Sequence, residues 1–271
     1  MPELPEVETT LRGVAPHLIG KRINRVIVRN AALRWPISAN IATLEGSKVQ
    51  RGERRGKYLL FTTAHGTLMI HLGMSGSLRV IPKESEWRKH DHVALELAGG
   101  MHLRLHDPRR FGAFLLIDGD PMQHSLLAEL GPEPLSDVFD AEYLRTALHG
   151  RAAPIKQAIM DSHLVVGVGN IYACEALFMA GISPLKPAGK VTRARLTKLV
   201  GAIKSVLAAS IEMGGTTLRD FLREDGEPGY FKQSLSVYGR EDQPCGRCNT
   251  PVKRIVQAQR STFYCPKCQR L

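Results

Sequence analysis

The chain has 271 residues, and 37 Lys and Arg against 26 Asp and Glu give it a formal net charge of +11. This length is enough for two domains with real cores, and the basic balance favours a polyanionic partner, nucleic acid first among them. The sequence contains no run of about 18 apolar residues and lacks the pattern of a signal peptide at its start, so we expect neither a membrane span nor secretion.

The first eight residues hold two prolines and three glutamates. Pro5 suits the first turn of a helix, and apolar residues continue at helical spacing to Leu18, so a helix is predicted that Pro16 should bend or shorten before Gly20. If Met1 is removed, Pro2 presents a secondary amine, and such an amine can attack an electrophilic carbon and form an iminium. The alternative interpretation is an ordinary helix start, because proline and glutamate are common there.

Residues 22 to 117 show short apolar runs separated by turn residues, which is typical of β-strands. Eight such strands favour an antiparallel sandwich or barrel. The predicted strands are Ile23–Val28, Val49–Arg54, Tyr58–Thr62, Thr67–Leu72, Ser77–Ile81, His92–Leu97, Met101–Leu105 and Gly112–Ile117.

The loops of this region carry unusual residues. Gly52–Tyr58 forms a basic hairpin, and Gly73–Gly76 places Met74 on a glycine-flanked turn, where it is either loosely packed or a wedge for a base stack. Trp87–His90 and Asp107–Phe111 set cations beside aromatic rings, as expected where phosphates and bases are both touched. Each loop alone is more often a solvated loop than a contact, and it is their combination that favours nucleic-acid binding.

Beyond a Gly- and Pro-rich boundary at residues 129–134 the pattern becomes helical. The predicted helices are Ala141–Leu148, Ile155–Met160, Ile171–Ala180 and Arg195–Met213. Asp161–Asn170 is a compact double turn in which Asn170 should cap the next helix, and a capped helix start is a natural phosphate site. Residues 214–238 suggest a functional loop, with disorder as the alternative.

The cysteines give the sharpest signal. Two C-x2-C pairs, separated by residues 249–264, predict one closed, structural four-thiolate zinc site, whereas two disulfides are disfavoured without secretion. Between the pairs, Lys253–Val256 and Ser261–Tyr264 are predicted as strands joined by a loop that contains Arg260. The fifth cysteine, Cys174, is expected to be a buried small side chain. The four predicted zinc ligands are Cys245, Cys248, Cys265 and Cys268.

The opening Pro-Glu-Leu-Pro-Glu-Val-Glu, the Gly56-Lys57 hairpin, Arg109–Gly112, the 165–172 double turn and the zinc hairpin together resemble the formamidopyrimidine-DNA glycosylase family over the whole length. The resemblance implies an α+β fold of two domains: an N-terminal antiparallel β-sandwich with a leading helix, and a helical domain with a helix–two-turn–helix motif and a β-hairpin zinc finger. We expect residues 1–130, 131–225 and 236–271 to form these parts, with a lesion-capping loop at about 216–230.

The same resemblance implies a base-excision repair enzyme that acts on oxidised purines, such as 8-oxoguanine opposite cytosine, and on formamidopyrimidines in double-stranded DNA. Pro2 would form the Schiff base and Glu3 would donate a proton, while Lys57 and Arg260 match residues of the two elimination steps. The implied DNA-binding residues, including the trio that fills the hole left by the flipped nucleotide, are His90, Arg109, Arg151, Asn170, Met74 and Phe111.

The resemblance further implies one structural Zn²⁺, no organic cofactor, a monomer, and a cytoplasmic location with nucleoid association in a bacterium. Glu3 poses a conflict, because a helix start favours a carboxylate whereas a general acid must hold a proton. Either substrate binding raises its pKa, or Glu3 moves protons through water.

Three rival interpretations stay open. An endonuclease VIII-type enzyme would prefer oxidised pyrimidines, and Leu4-Pro5 favours the formamidopyrimidine branch over it. A non-catalytic damage binder is disfavoured by four intact residues, Pro2, Glu3, Lys57 and Arg260. A tautomerase with an N-terminal proline base would not need a zinc hairpin or a net charge of +11.

Overall fold

The computed structural model describes residues 2–214 and 235–271. The described chain divides into two compact units, the first built on residues up to 128 and the second on residues 129–212 together with the C-terminal part from 235 onward. The predicted capping loop at 216–230 lies outside the described residues. Within the described part, none of the helices is both long and apolar enough to cross a bilayer.

The first unit is a β-sandwich preceded by a helix. Its strands form two four-stranded antiparallel sheets in the orders β1-β6-β7-β5 and β2-β3-β4-β8. The elements are α1 (Leu4–Leu18), β1 (Ile23–Val28), β2 (Arg51–Arg55), β3 (Tyr58–Thr63), β4 (Gly66–His71), β5 (Ser77–Pro82), β6 (Asp91–Leu97), β7 (Met101–His106) and β8 (Ala113–Ile117).

One apolar core joins both sheets and the helix. Alternate residues of each strand face inward, as the period of two requires. The inward residues include Leu59, Phe61, Leu68, Ile70, Val93, Leu95, Leu103, Leu105, Phe114 and Leu116, and α1 adds Val7, Val14 and Leu18. The predicted sandwich with a leading helix is therefore confirmed.

The first helix continues past Pro16, which was expected to bend or shorten its last turn. The helix runs through Pro16 to Leu18, and the N–H of Ile19 still donates to the carbonyl of Ala15 at 2.9 Å. A proline removes one intrahelical hydrogen bond because it has no backbone N–H, and the hydrogen bond of Ile19 is kept.

The second unit is helical and ends in a hairpin. Its elements are α2 (Ala141–Ala147), α3 (Ile155–Ile159), α4 (Asn170–Ala180), α5 (Arg193–Glu212), β9 (Lys253–Gln257) and β10 (Arg260–Tyr264). Each strand of the hairpin is one residue longer than predicted, so Arg260 begins β10 opposite Gln257 instead of lying in the loop. The turn consists of Ala258 and Gln259, which both have positive φ (45° and 62°), as a two-residue hairpin turn of the favoured hand requires.

Candidate functional site

The start of α1 places Pro2 and Glu3 in a buried position. Glu3 is the N-cap residue and only 3 % exposed. Its backbone N–H donates to Oε2 of Glu6 at 2.8 Å, and Glu6 is itself buried. The Glu3 carboxyl group is therefore withdrawn from bulk water at the positive end of a helix.

Lys57 lies in the two-residue turn between β2 and β3, as predicted. Arg54 joins this turn to α1: its Nε donates to Oε2 of Glu8 at 2.8 Å, and its Nη1 donates to the carbonyl of Gly56 at 3.0 Å. Burial alone would raise the pKa of Glu8, but the hydrogen bonds and charges of Arg54 and Arg12 outweigh it and lower that pKa. A charged Glu8 thus helps to fix the turn that carries Lys57.

His71 is a neighbour of Lys57 that the sequence did not reveal. It pairs with Tyr58 across β3 and β4, and its Nδ1 accepts the N–H of Gly73 at 3.1 Å. Burial, together with the positive charges of Lys57 and Arg34, lowers the pKa of His71 to about 4. The imidazole is therefore neutral at pH 7, with its proton on Nε2 as the accepted hydrogen bond requires.

We expect His71 to make the protein less stable in mild acid. In the unfolded chain it binds a proton below its ordinary pKa of about 6.5, whereas in the folded chain it resists protonation down to about 4. The unfolded state then holds more protons, so the free energy of unfolding falls as the pH drops through this window, by at most about 3 kcal/mol. Urea unfolding of wild type and His71→Gln at pH 7, 5.5 and 4.5 tests this: the variant should lose less stability with falling pH, and parallel curves would contradict the assignment.

In the first unit, the loop that carries Met74 contacts the loop that carries Arg109 and Phe111. Met74 and Phe111 are 36 % and 37 % exposed, and the guanidinium of Arg109 lies 4.9 Å from the centre of the Phe111 ring. Gly73 holds the two loops in contact: its φ is +65°, and a Cβ built there would lie 2.6 Å from the carbonyl carbon of Phe111.

Gly73→Ala should therefore separate the Met74 loop from the Phe111 loop. A left-handed backbone and a clash with main-chain atoms act together, so we expect a loss of about 1–3 kcal/mol in the free energy of unfolding. Gly119→Ala is a matched control, since its φ is +75° and nothing lies within 4 Å of the added Cβ. Denaturant melts of both variants measure the difference, and equal losses would show that backbone strain alone is at work.

His90 lies at the end of the loop before β6. Its ring is 5.9 Å from that of His106, and its carbonyl accepts the N–H of Asp107 at 2.9 Å. Asp107 is fully buried, and its Oδ2 accepts the N–H of Gly112 at 2.8 Å. Asp107 thus holds both the loop of His90 and the loop of Phe111.

In the second unit, Asn170 does not cap α4. The N-cap is Gly169, and Asn170 is the first helical residue, because its side chain is engaged elsewhere. Its Oδ1 accepts from Nζ of Lys156 at 2.5 Å, and its Nδ2 donates to the carbonyl of Ser261 at 2.9 Å. The Asn170 side chain therefore joins the helix start to the C-terminal hairpin beside Arg260.

Lys156 was missed by the sequence interpretation, although it is only 1 % exposed. Its Nζ also donates to Oγ1 of Thr262 at 2.7 Å. With Arg260 and Asp161 it lines a cavity of about 150 Å³, and Nη1 of Arg151 lies 3.4 Å from Oδ2 of Asp161. Nothing in its spacing distinguishes Lys156 from a surface lysine of α3, so only the fold reveals it.

The four hairpin cysteines converge as predicted. Their Sγ atoms all lie within 4.8 Å of one another, with Cys245 and Cys268 at 3.9 Å and Cys248 and Cys265 at 3.5 Å. A tetrahedral site with Zn–S bonds of about 2.3 Å needs sulfurs about 3.8 Å apart. The donor set therefore fits one zinc ion of structural type.

Glu175 is a second residue that the sequence did not reveal. It is 5 % exposed on α4, and its carboxylate accepts the backbone N–H groups of Ser236, Val237 and Tyr238 at 2.8–2.9 Å. Cys174 beside it is buried in the core of the hairpin, as predicted. One helix thus anchors the chain where it enters the zinc hairpin.

Comparison with known proteins agrees with this architecture. Three domain families match in succession: "Formamidopyrimidine-DNA glycosylase N-terminal domain" over residues 1–114, "Formamidopyrimidine-DNA glycosylase H2TH domain" over 130–222, and "Zinc finger found in FPG and IleRS" over 242–271. The formamidopyrimidine-DNA glycosylase of Thioalkalivibrio sulfidiphilus is 58 % identical over 271 residues, which is 100 % of both chains.

The chain belongs to the formamidopyrimidine-DNA glycosylase family. Among solved structures of this family, a Lactococcus lactis FPG mutant in complex with Fapy-dG-containing DNA matches with a TM-score of 0.93 and 32 % identity over 100 % of both chains. MutM in complex with carbocyclic 8-oxo-G-containing DNA matches with a TM-score of 0.91 and 32 % identity, again over 100 % of both chains. Family membership accounts for the zinc hairpin, while the individual roles of the site residues stay predictions.

Proposed function

We propose that this family member is a bifunctional DNA glycosylase and abasic-site lyase that removes oxidised purines from double-stranded DNA. Its substrates would be 8-oxoguanine opposite cytosine and formamidopyrimidines; in support, solved structures of relatives contain DNA with Fapy-dG and with carbocyclic 8-oxo-G. The observation that carries the proposal is the start of α1, where Pro2 precedes a buried Glu3 in a chain that matches the family over its whole length.

In the proposed reaction the Pro2 amine attacks C1′ of the damaged nucleotide after Met1 has been removed. The glycosidic bond breaks, its electron pair leaves with the base, and the opened sugar is held as an iminium. Loss of a proton from C2′ then expels the 3′ phosphate, and a second elimination expels the 5′ phosphate. The strand is left with a one-nucleotide gap.

Glu3 would supply the proton that opens the sugar and releases the base. Glu3 is buried at the start of α1 and directly follows Pro2, so its carboxyl group is placed next to the attacking residue. Lys57 would serve the first elimination and Arg260 the second. The Arg54 bridge supports the first assignment, because it gives the Lys57 turn a fixed place beside α1.

Reaching C1′ requires that the nucleotide leave the stack, at a cost of a few kcal/mol. Met74, Arg109 and Phe111 would fill the hole, since these two exposed apolar side chains and this cation lie on two loops that are in contact. His90 on the first unit, and Arg151 and Asn170 on the second, would bind phosphates of the DNA backbone. Phosphate contacts from both units fit the net charge of +11.

Borohydride trapping with an 8-oxoguanine:cytosine duplex tests the proposal. We expect a covalent protein–DNA adduct, an intact mass that shows loss of Met1, and, after trypsin digestion, the adduct on the peptide of residues 2–12. The same duplex with unmodified guanine is the control. A trapped adduct with thymine glycol alone would favour the endonuclease VIII type, and no adduct from a zinc-bound protein that lacks Met1 would leave the damage-binding alternative.

A further inference from the structure

The loop between β5 and β6, residues 83–90, ends in three consecutive basic residues. Arg88 and Lys89 are exposed and His90 is half-buried, while the loop's acidic residues, Glu84 and Glu86, stand earlier. An exposed loop of this kind would ordinarily move and lose ordering entropy when it binds. In this protein it is tied to the sandwich at several points.

Asp91, the first residue of β6, is the centre of these ties. Its side chain is fully buried, and Oδ1 accepts from Nη2 of Arg79 at 2.8 Å and lies 2.9 Å from Nδ1 of His106. Its Oδ2 accepts the backbone N–H of Arg88 at 3.0 Å and lies 3.6 Å from Nη1 of Arg104. Although burial would raise the pKa of Asp91, these partners lower it to about 2, so the carboxylate is charged throughout the physiological range.

Arg104 holds the earlier part of the same loop. Its guanidinium is fully buried and donates to the carbonyls of Ser85 at 2.8 Å, Glu86 at 3.0 Å and Lys83 at 3.3 Å. It also lies 4.0 Å from the ring centre of Trp87. A buried arginine that satisfies three carbonyls of one loop fixes the path of that loop.

Arg29 holds the end of the same loop from its solvent-exposed side. Its guanidinium lies 4.9 Å from the ring centre of Trp87, and its Nη1 donates to the carbonyl of Arg88 at 3.1 Å and to that of Asp91 at 3.3 Å. Both backbone groups of Arg88 are thus held, the N–H by the Asp91 carboxylate and the carbonyl by Arg29.

We propose that Asp91 is a positioning residue which, with Arg79, Arg104 and Arg29, pre-forms the basic segment Arg88–His90 as a phosphate-docking platform. Arg88 and Lys89 are then further contacts to the duplex backbone beside the predicted His90. The platform also shares its anchor with the Phe111 loop, since the carbonyl of His90 accepts from Asp107. A pre-formed platform binds more tightly, because the segment loses its conformational entropy when the protein folds and not when it binds DNA. The inference rests on the proposed DNA-binding function.

A double-mutant cycle tests this inference with the full-length, zinc-bound protein. Affinity for an undamaged duplex and for a duplex with an abasic-site analogue is measured at several salt concentrations for wild type, Lys89→Ala, Asp91→Asn and the double variant. In the wild-type background we expect Lys89→Ala to weaken binding to both duplexes and to lower the salt slope by about one. In the Asp91→Asn background the same change should have little effect, because the segment is no longer held in place.

Asp118→Asn removes the same charge from an exposed position of the first unit and should leave the effect of Lys89→Ala intact. If Asp91→Asn does not fold, the cycle is run with Arg29→Lys, which keeps the charge on an exposed side chain but loses the planar guanidinium that lies over Trp87 and whose Nη1 donates to both carbonyls. If wild type binds normally but the effects of Lys89→Ala and Asp91→Asn simply add, this inference is overturned and the proposed function is not. Failure of wild type to bind either duplex would overturn the proposed function with it.

Discussion

Glu3→Gln is expected to slow base release strongly while it spares cleavage at a ready-made abasic site. The substitution keeps the size of the buried side chain but removes the transferable proton, and a positioned general acid typically contributes about 10²- to 10⁴-fold. Single-turnover release of 8-oxoguanine should fall by that factor. Strand cleavage of an abasic duplex, which needs no base departure, should remain near the wild-type rate.

The control for this variant is Glu53→Gln, which makes the same chemical change on an exposed strand residue. The abasic substrate also separates the two roles considered for Glu3. If both substrates slow equally, Glu3 moves protons through water in every step and is not a dedicated acid for base release. Normal base release by Glu3→Gln, in protein shown by mass to lack Met1, would refute a proton-transfer role.

Removal of zinc is expected to have the second large effect. Structural zinc sites in small fingers contribute about 10–16 kcal/mol to folding of the finger, and the hairpin core here is small: two of the four zinc cysteines are buried in it and the other two pack against it. A strong chelator, or Cys248→Ser, should therefore unfold the hairpin. Arg260, and Ser261 whose carbonyl accepts a hydrogen bond from Asn170, would no longer be held in position. DNA binding and covalent trapping should therefore fall together.

The two tryptophans make the zinc experiment selective. Both Trp35 and Trp87 lie in the first unit, so their emission reports on the sandwich and not on the hairpin. Chelation should leave this emission unchanged while hydrogen exchange shows loss of protection in β9 and β10, and metal analysis should give one zinc per chain. Protected hairpin amides in metal-free protein would contradict a structural role for the ion.

The sequence predicted the elements of the sandwich well because its strands are set by a local signal. Alternation of apolar residues gave all eight strands to within two residues at each end, and the hairpin of Lys57 was predicted with them. The zinc site was equally accessible, since the spacing of two cysteine pairs admits few other structures.

The features that were missed depend on contacts distant in sequence. Asn170 looked like a cap because asparagine favours that position, yet a partner 91 residues away, Ser261, takes its side chain. Lys156, Glu175 and Asp91 are charged residues that normally lie at the surface. Their burial follows from partners on other elements, which periodicity does not show.

The anchoring of the zinc hairpin to α4 has a consequence for the modularity of the family. Asn170 at the start of that helix bonds to the hairpin backbone, and Glu175 near its middle holds the three amides through which the chain enters the finger. The zinc finger therefore cannot be exchanged independently of this helix. A chimaera that takes its finger from another family member should also take α4 from that member, because α4 provides the side chains of these hydrogen bonds.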